Sequence, residues 1–396
     1  MNREGRGRDV KLIAFHLPQF HRTPENDAWW GEGFTEWTNV KKAVPLYRGH
    51  NQPREPLEGN YYQLDDIDTL IWQMELAKRY GVYGFCYYHY WFNGKLLLNK
   101  PLELMRDYSG DKLPYFFCWA NEPWTRVWEG DAQKVLMPQN YGREDEWEEH
   151  LQYMLTFFQD PVYIKIDNMP IFVVYRTNNI PDCEEMIAYW NMRSVDYGYK
   201  GIYIIEEVNS FQSEPICPSS RAFLEFEPLF TMTLGRTPAD KMAYKLHSDL
   251  FNAVTKNHNQ CYSYDRLWKR MIGRKHMEVP GKECYAGAFV DWDNTARKGN
   301  RGRIVMGTTP EKFKKYLFKQ KKKAMERGDD FIFINAWNEW GEGTYLEPDS
   351  KFGYAFLEAV SQIFAEFPVS GGIDGGGASL LIGRPCNACF QIGGAA

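Results

Sequence analysis

The sequence has no long apolar run: nowhere do the roughly 18–20 consecutive hydrophobic residues of a membrane-spanning helix occur. It also has no basic excess. A net charge of -5 and a pI near 6.0 give no general attraction to nucleic acid or to anionic membranes. The start, MNREGRGRDVKLIAFH, carries no apolar region of signal-peptide type, so a cytoplasmic protein is expected. Cysteine is sparse. Eight in 396 residues do not make a disulfide scaffold. Cys86 and Cys118 sit in strand-like runs as small hydrophobes, and Cys386 and Cys389 form a lone CxxC with no second pair. No G-x-G-x-x-G or G-x-x-x-x-G-K-[ST] follows the first strand-like run, which argues against a doubly wound nucleotide-binding sheet. His16 and His21 belong to no DxH, HxH or HExxH grouping, so neither a metal nor any other cofactor is expected.

Aromatic residues, by contrast, are plentiful. They make up 16% of the chain, with 14 Trp, 25 Tyr and 25 Phe, and hydrophobic residues at 44% provide for a sizeable core. Many of the rings lie just after strand-like runs and beside polar residues. Part of this is core packing; the polar-flanked rings also suit stacking on sugars, since Tyr and Trp combine an apolar face with a hydrogen-bonding edge.

Eight short β-rich runs recur, beginning at Val10, Gly81, Leu113, Met169, Gly201, Ala222, Cys284 and Phe331. Most precede a stretch with 3.6-residue periodicity: 66–80, 144–158, 182–197, 239–256, 310–327 and 353–367. Near-continuous apolar strands alternating with helices predict a parallel sheet covered by helices. Eight units predict an α/β fold, a (β/α)8 TIM barrel with long βα-loop insertions. The fifth and sixth units are the weakest, because EEVNSFQSEPICPSS leaves little room for a helix. Lys319–Lys323 reads as a solvated helix face. The expected organisation is a flexible terminus over 1–9, a catalytic barrel over 10–368, and a flexible or non-native tail over 369–396.

In such barrels, catalytic groups project from the C-terminal strand ends and the loops after them. The first strand end supplies His16 and Gln19, and its long insertion supplies Trp30 together with Glu25, Glu32 and Glu36, acids consistent with plain loop solubility. The second strand end supplies Tyr88, His89, Tyr90 and Trp91; the third, Trp119, Asn121, Glu122 and Trp124; the fourth, Tyr175. Glu206 and Glu227 follow from the fifth and sixth. The seventh gives Asp291, Trp292, Asp293 and Asn294, where the two aspartates alternate and therefore share a face. The last gives Trp337, Asn338, Glu339, Trp340, Glu342 and Glu347. Aromatic platforms beside hydrogen-bonding groups suit a polysaccharide or oligosaccharide; the alternative is a set of aromatic plugs closing the barrel top. His89 is either a sugar contact or a satisfied core histidine.

Glycosidic cleavage needs an acid at the leaving oxygen and a second carboxylate, roughly 5–9.5 Å apart according to stereochemical course. Glu339 and Glu342 meet the first requirement if the chain turns after the last strand, and Gly341 between them permits a bend.

Several long segments carry a resemblance: IAFHLPQFHRTPENDAWWGEGFTEWTNVKKA, YGFCYYHYWFNGK, CWANEPWTR, WDNTAR and NAWNEWGEGTYLEPD. From Leu12 to Phe367 they closely resemble the WbsX-type family of polysaccharide gene clusters, whose members are labelled glycosyltransferases. The final segment is also similar to the N-E-W-x-E-G-T motif of glycoside hydrolase family 99, the endo-α-mannosidases, which are (β/α)8 barrels. That similarity implies Glu339 as the base on the sugar 2-hydroxyl and Glu342 as acid/base at the glycosidic oxygen, working through a 1,2-anhydro sugar with net retention. The family's W-H-I-E-P-Y segment is replaced here by CWANEPW and VVYRTNNIP. A retaining glycoside hydrolase or transglycosylase acting on α-linked residues is therefore expected. A nucleotide-sugar glycosyltransferase, with DWD (Asp291–Asp293) as a D-x-D motif, stands beside it, as do a non-catalytic sugar-binding barrel and a metal-dependent hydrolase.

Overall fold

The computed structural model describes residues 9–126, 131–234 and 236–365. The tail, with Cys386 and Cys389, lies outside the described residues. Eight strands form the centre: β1 Lys11–His16, β2 Gly84–Phe92, β3 Tyr115–Trp119, β4 Met169–Val174, β5 Tyr203–Val208, β6 Ala222–Glu225, β7 Glu283–Phe289 and β8 Phe331–Asn335. Each pairs in parallel with the next, and β1 pairs with both β2 and β8, through Ile13 opposite Gly84 and Phe333 respectively. The sheet has no free edge. It is a closed (β/α)8 barrel, as the eight runs predict.

Burial on two sides explains the near-continuous apolar strands. Alternate side chains fill the lumen or face the helices. Phe15 packs inside against Tyr88, Phe226 and Phe333, with centroids 5.1–6.1 Å apart. Phe117 instead points out, 4.8 Å from Phe157 on the covering helix Glu144–Phe158. Other covering helices run over Ile67–Arg79, Cys183–Val195, Pro310–Arg327 and Ala355–Phe364, while the helix Pro238–Thr255 packs on the strand Gln260–Ser263. Their starts follow local chemistry: Thr309 Oγ1 accepts from Lys312 N–H, and Pro310 occupies the first turn, where its missing N–H is harmless.

Some elements differ from expectation. The last helix stops at Phe364, and the expected end at Phe367 lies outside the described residues. A helix over Tyr264–Gly273, unread in the sequence, fills the β6–β7 crossover together with a two-stranded ladder of Gln260–Ser263 on Arg303–Met306. Between β5 and β6 there is no helix. The loop is organised by the buried Glu206 carboxylate, which accepts from Thr177, Ser220 and the backbone N–H groups of Ile216 and Cys217. In the basic run, Lys321 and Lys323 are not simply solvated; their ammonium groups donate to the carbonyls of Ile363 and Ile272.

Candidate active site

After β8 the chain makes a two-residue strand, Asn338–Glu339, antiparallel to Thr344–Tyr345, and a single 3-10 turn over Trp340–Glu342. That turn brings Glu339 and Glu342, three positions apart, to the wall of one cavity of about 490 Å³. One guanidinium joins them: Arg297 Nη2 lies 3.1 Å from Glu339 Oε2 and Nη1 3.0 Å from Glu342 Oε1. Arg297 comes from the short helix Thr295–Lys298 after β7, and its Nε donates to Glu36 Oε1 at 2.8 Å. Held on one planar fork, the nearest oxygens of Glu339 and Glu342 are at most roughly 8 Å apart.

Three carboxyls around one guanidinium cannot all carry charge comfortably in a buried place. Burial pushes Glu339 up to about 8 against the pull of Arg297, with Glu342 and Glu36 adding repulsion. Glu36 is raised for the same leading reason, and Arg297 is held firmly protonated by its three acids.

Gly341 has a different role from the one expected. A Cβ there would stand 1.7 Å from Glu36 Oε1 and 2.8 Å from Arg297 Nε, so it is a close approach that requires glycine. The positive φ of the turn, 65°, falls at Gly343 instead.

The cavity gathers Gln19, Trp30, Tyr88, Tyr90, Glu122, Trp124, Tyr175, Trp292 and Asn294 with the two glutamates. Phe211, Phe226, Leu229, Asn335, Lys298 and Arg303 complete much of the wall. Glu122 is paired with Arg176 at 2.8 Å, and burial raises its pKa against that partner.

The remaining candidates lie outside this cavity, and strand alternation accounts for the first of them. On β2, Tyr88 and Tyr90 face inward, so His89 and Trp91 face the helices. His89 Nε2 is 2.9 Å from His150 Nε2, Trp91 stacks on His150, and burial lowers His89 to about 3. His89 is thus a core histidine. His16 is bonded to Gln73 at 3.0 Å and lowered by burial to about 4. Trp119 donates to the Trp91 carbonyl, and Asn121 clamps both backbone groups of Arg176 at 2.8 Å. Glu206 serves its own loop, while Glu227 binds Thr231 and Arg274. The inward acid of β5 is the neighbour, Glu207, pushed well up by burial.

The two aspartates do share a side, as their spacing predicts, but it faces Arg54. That guanidinium is 2.8 Å from Asp291 and 3.8 Å from Asp293, which also meets His50 at 2.8 Å. Both carboxylates are therefore already engaged. Trp337 packs in the core against Phe85, 5.0 Å between centroids. Asn338 donates to the Leu17 carbonyl and accepts from Leu17 N–H. Behind the turn, Glu347 accepts from Tyr62, Gln73 and Trp340, and burial raises it to about 7. These groups brace the turn that carries the acids.

Sequence reading did not single out Arg297 and took Glu36 for a loop acid. WDNTAR gives no sign of what Arg297 meets, because its partners are 261 and 42 residues away in sequence. Among the described residues, one group of metal-type ligands stands together, Glu225, His276 and Cys284. Arg274 and His276 already lie 2.6 and 2.7 Å from Glu225 Oε2, which fits a cation poorly, and none of the three lines the cavity. No helix of the described residues is long and apolar enough to cross a membrane.

Comparison with known proteins bears on this arrangement. The family described as Glycosyltransferase WbsX matches residues 12–360. Two curated relatives, each named "Uncharacterized protein WxcX", come from two strains of Xanthomonas campestris pv. campestris. Each is 33% identical over 362 residues, covering 90% of this chain and 50% of the relative. The chain thus spans about half the length of the curated relatives it matches. A solved "Glycoside hydrolase-like protein" superposes with a TM-score of 0.56 at 13% identity, covering 90% of this chain and 94% of its own, a likeness of fold. A glycoside hydrolase family 99 endo-α-mannosidase from Bacteroides thetaiotaomicron gives a TM-score of 0.49 at 15% identity, covering 88% and 95%. With its family match running from the first barrel strand into the last helix, the chain belongs to the WbsX glycosyltransferase family.

Proposed function

We propose that the chain is a carbohydrate-active enzyme that breaks an α-glycosidic bond of a polysaccharide with retention, passing the sugar to water or to another hydroxyl. The observation that carries this reading is the pair Glu339 and Glu342, joined by Arg297 at the wall of an aromatic-lined cavity. The resemblance of NEWGEGT to family 99 supplies the roles. Glu342 gives its proton to the glycosidic oxygen while Glu339 takes the proton of the 2-hydroxyl, and O2 closes on C1 as the C1–O bond breaks. Glu342 then deprotonates the acceptor, which opens the three-membered ring at C1, and Glu339 returns its proton to O2. Two inversions give net retention.

Burial serves this scheme, because a carboxylate raised to about 8 is a strong base once ionised. Arg297 holds both acids in register through the cycle. In this reading 10–368 is the catalytic unit.

The family name favours a second reading, a glycosyltransferase using a nucleotide sugar. Against it, the D-x-D aspartates are engaged by Arg54, His50 and Thr308. The test is product analysis on a polysaccharide panel, following the anomer first formed by proton NMR, with calorimetry on nucleotide sugars alongside. Cleavage with retained configuration supports the hydrolase; no cleavage with micromolar nucleotide-sugar binding supports the transferase instead.

A further inference from the structure

The cations of the cavity are not equally occupied. Arg297 answers Glu36, Glu339 and Glu342. Lys298 and Arg303 also line the cavity, and among the described residues neither makes an ion pair. Arg303 is only partly exposed. A guanidinium that has given up part of its hydration without a counter-charge is a poor structural choice and a good ligand for an anion.

Its placement is firm. Arg303 N–H donates to Asn294 Oδ1 at 2.7 Å, and its carbonyl accepts from Asn294 N–H at 3.2 Å. Arg303 also begins the strand paired in parallel with Gln260–Ser263. The same loop after β7 is tied to the catalytic turn, where Asp293 N–H donates to the Glu342 carbonyl at 2.7 Å. Both cations therefore come from the segment after β7 that is bonded to the turn carrying Glu342. The chain as a whole carries -5, so this is a local feature and not general basicity.

We propose that the cavity takes a negatively charged glycan, with a carboxylate or phosphate on the substrate beside the bond to be broken, held by Lys298 and Arg303. The inference rests on the reading of the cavity as a glycan site. An Arg fork matches the two oxygens of a carboxylate or phosphate, and Lys adds a point charge. A neutral sugar would leave the partly buried Arg303 charge unanswered, while Lys298 stays exposed to solvent.

The test uses binding, so that it does not depend on turnover. The Glu342→Gln protein is titrated calorimetrically with uronate-containing oligosaccharides of several linkages and their carboxyl-reduced counterparts, and with sugar phosphates. At least one charged ligand is expected to bind about tenfold or more tighter than its neutral counterpart, with affinity falling as salt rises. Adding Lys298→Gln and Arg303→Gln, with thermal melting to confirm folding, should erase that preference. Uronate or phosphate selectivity identifies the source of the charge. Equal affinity for charged and neutral ligands, no binding of any charged ligand, or an undiminished preference in the double variant overturns the proposal. Wild-type protein that binds charged glycans but cleaves none would overturn the catalytic reading and leave this one standing.

Discussion

Replacing Glu339 by Gln should stabilise the protein, and by an amount that depends on pH. The carboxyl titrates near 4.5 in an unfolded chain and at about 8 in the fold, because burial disfavours its charged form. Between those values the folded protein keeps a proton that the unfolded chain has released, so stability falls as pH rises. Each pH unit in that window is worth about 1.4 kcal/mol. At pH 7 the carboxyl lowers stability by about 3 kcal/mol, and above pH 8 by about 5 kcal/mol. Gln keeps the shape and the hydrogen bond to Arg297 and is neutral throughout. Wild type and variant should therefore unfold alike near pH 4 and diverge steadily to pH 8, with the variant the more stable. Denaturant unfolding at four or five pH values, with m unchanged, measures the difference directly. A gap that stays constant with pH, or a variant less stable than wild type at pH 8, would refute the claim that Glu339 is held protonated by burial.

Other outcomes follow from the same cluster. Arg297→Met strands three carboxyls and should cost about 3–5 kcal/mol in denaturant unfolding; adding Glu36→Gln should recover part of that loss. Gly341→Ala places a methyl on Glu36 Oε1, so it should lower stability by about 1–3 kcal/mol and lower activity through displacement of Arg297, both read by melting and rate assays. If Glu339 is the base, kcat/KM should rise as pH passes through about 8, where the carboxyl loses its proton; a fall through the same pH would give it the acid's role instead.

Much of the fold was legible because two-sided burial writes itself into sequence. Runs such as GFCYYHYWF and FIFIN are apolar at nearly every position, and each of the eight runs overlaps one barrel strand, with the starts at Met169, Ala222 and Phe331 coinciding and the rest within three residues. Helices such as Pro310–Arg327 announced themselves by a regular apolar stripe. The site was harder to read. Strand ends show which residues are near the mouth, but not which of two neighbours points inward. That single-residue phase separates Tyr88 and Tyr90 from His89 and Trp91, and Glu207 from Glu206. Loops obscured the rest. Arg54 and His50 come from the first insertion, yet they meet aspartates about 240 positions later, and no local pattern signals such a contact. Glu36 looked like a soluble loop acid because its burial depends on Arg297 and on the missing side chain at Gly341.

The central claim is that the acid leaving the last barrel strand at position 342 breaks a sugar–oxygen bond. The most direct measurement compares wild type with Glu342→Gln on one polysaccharide, recording bond cleavage and ligand binding in the same preparations. The account predicts a rate reduced by about 100-fold to 10,000-fold with binding retained, the contribution of a positioned acid/base. Cleavage by the variant at the wild-type rate would contradict it.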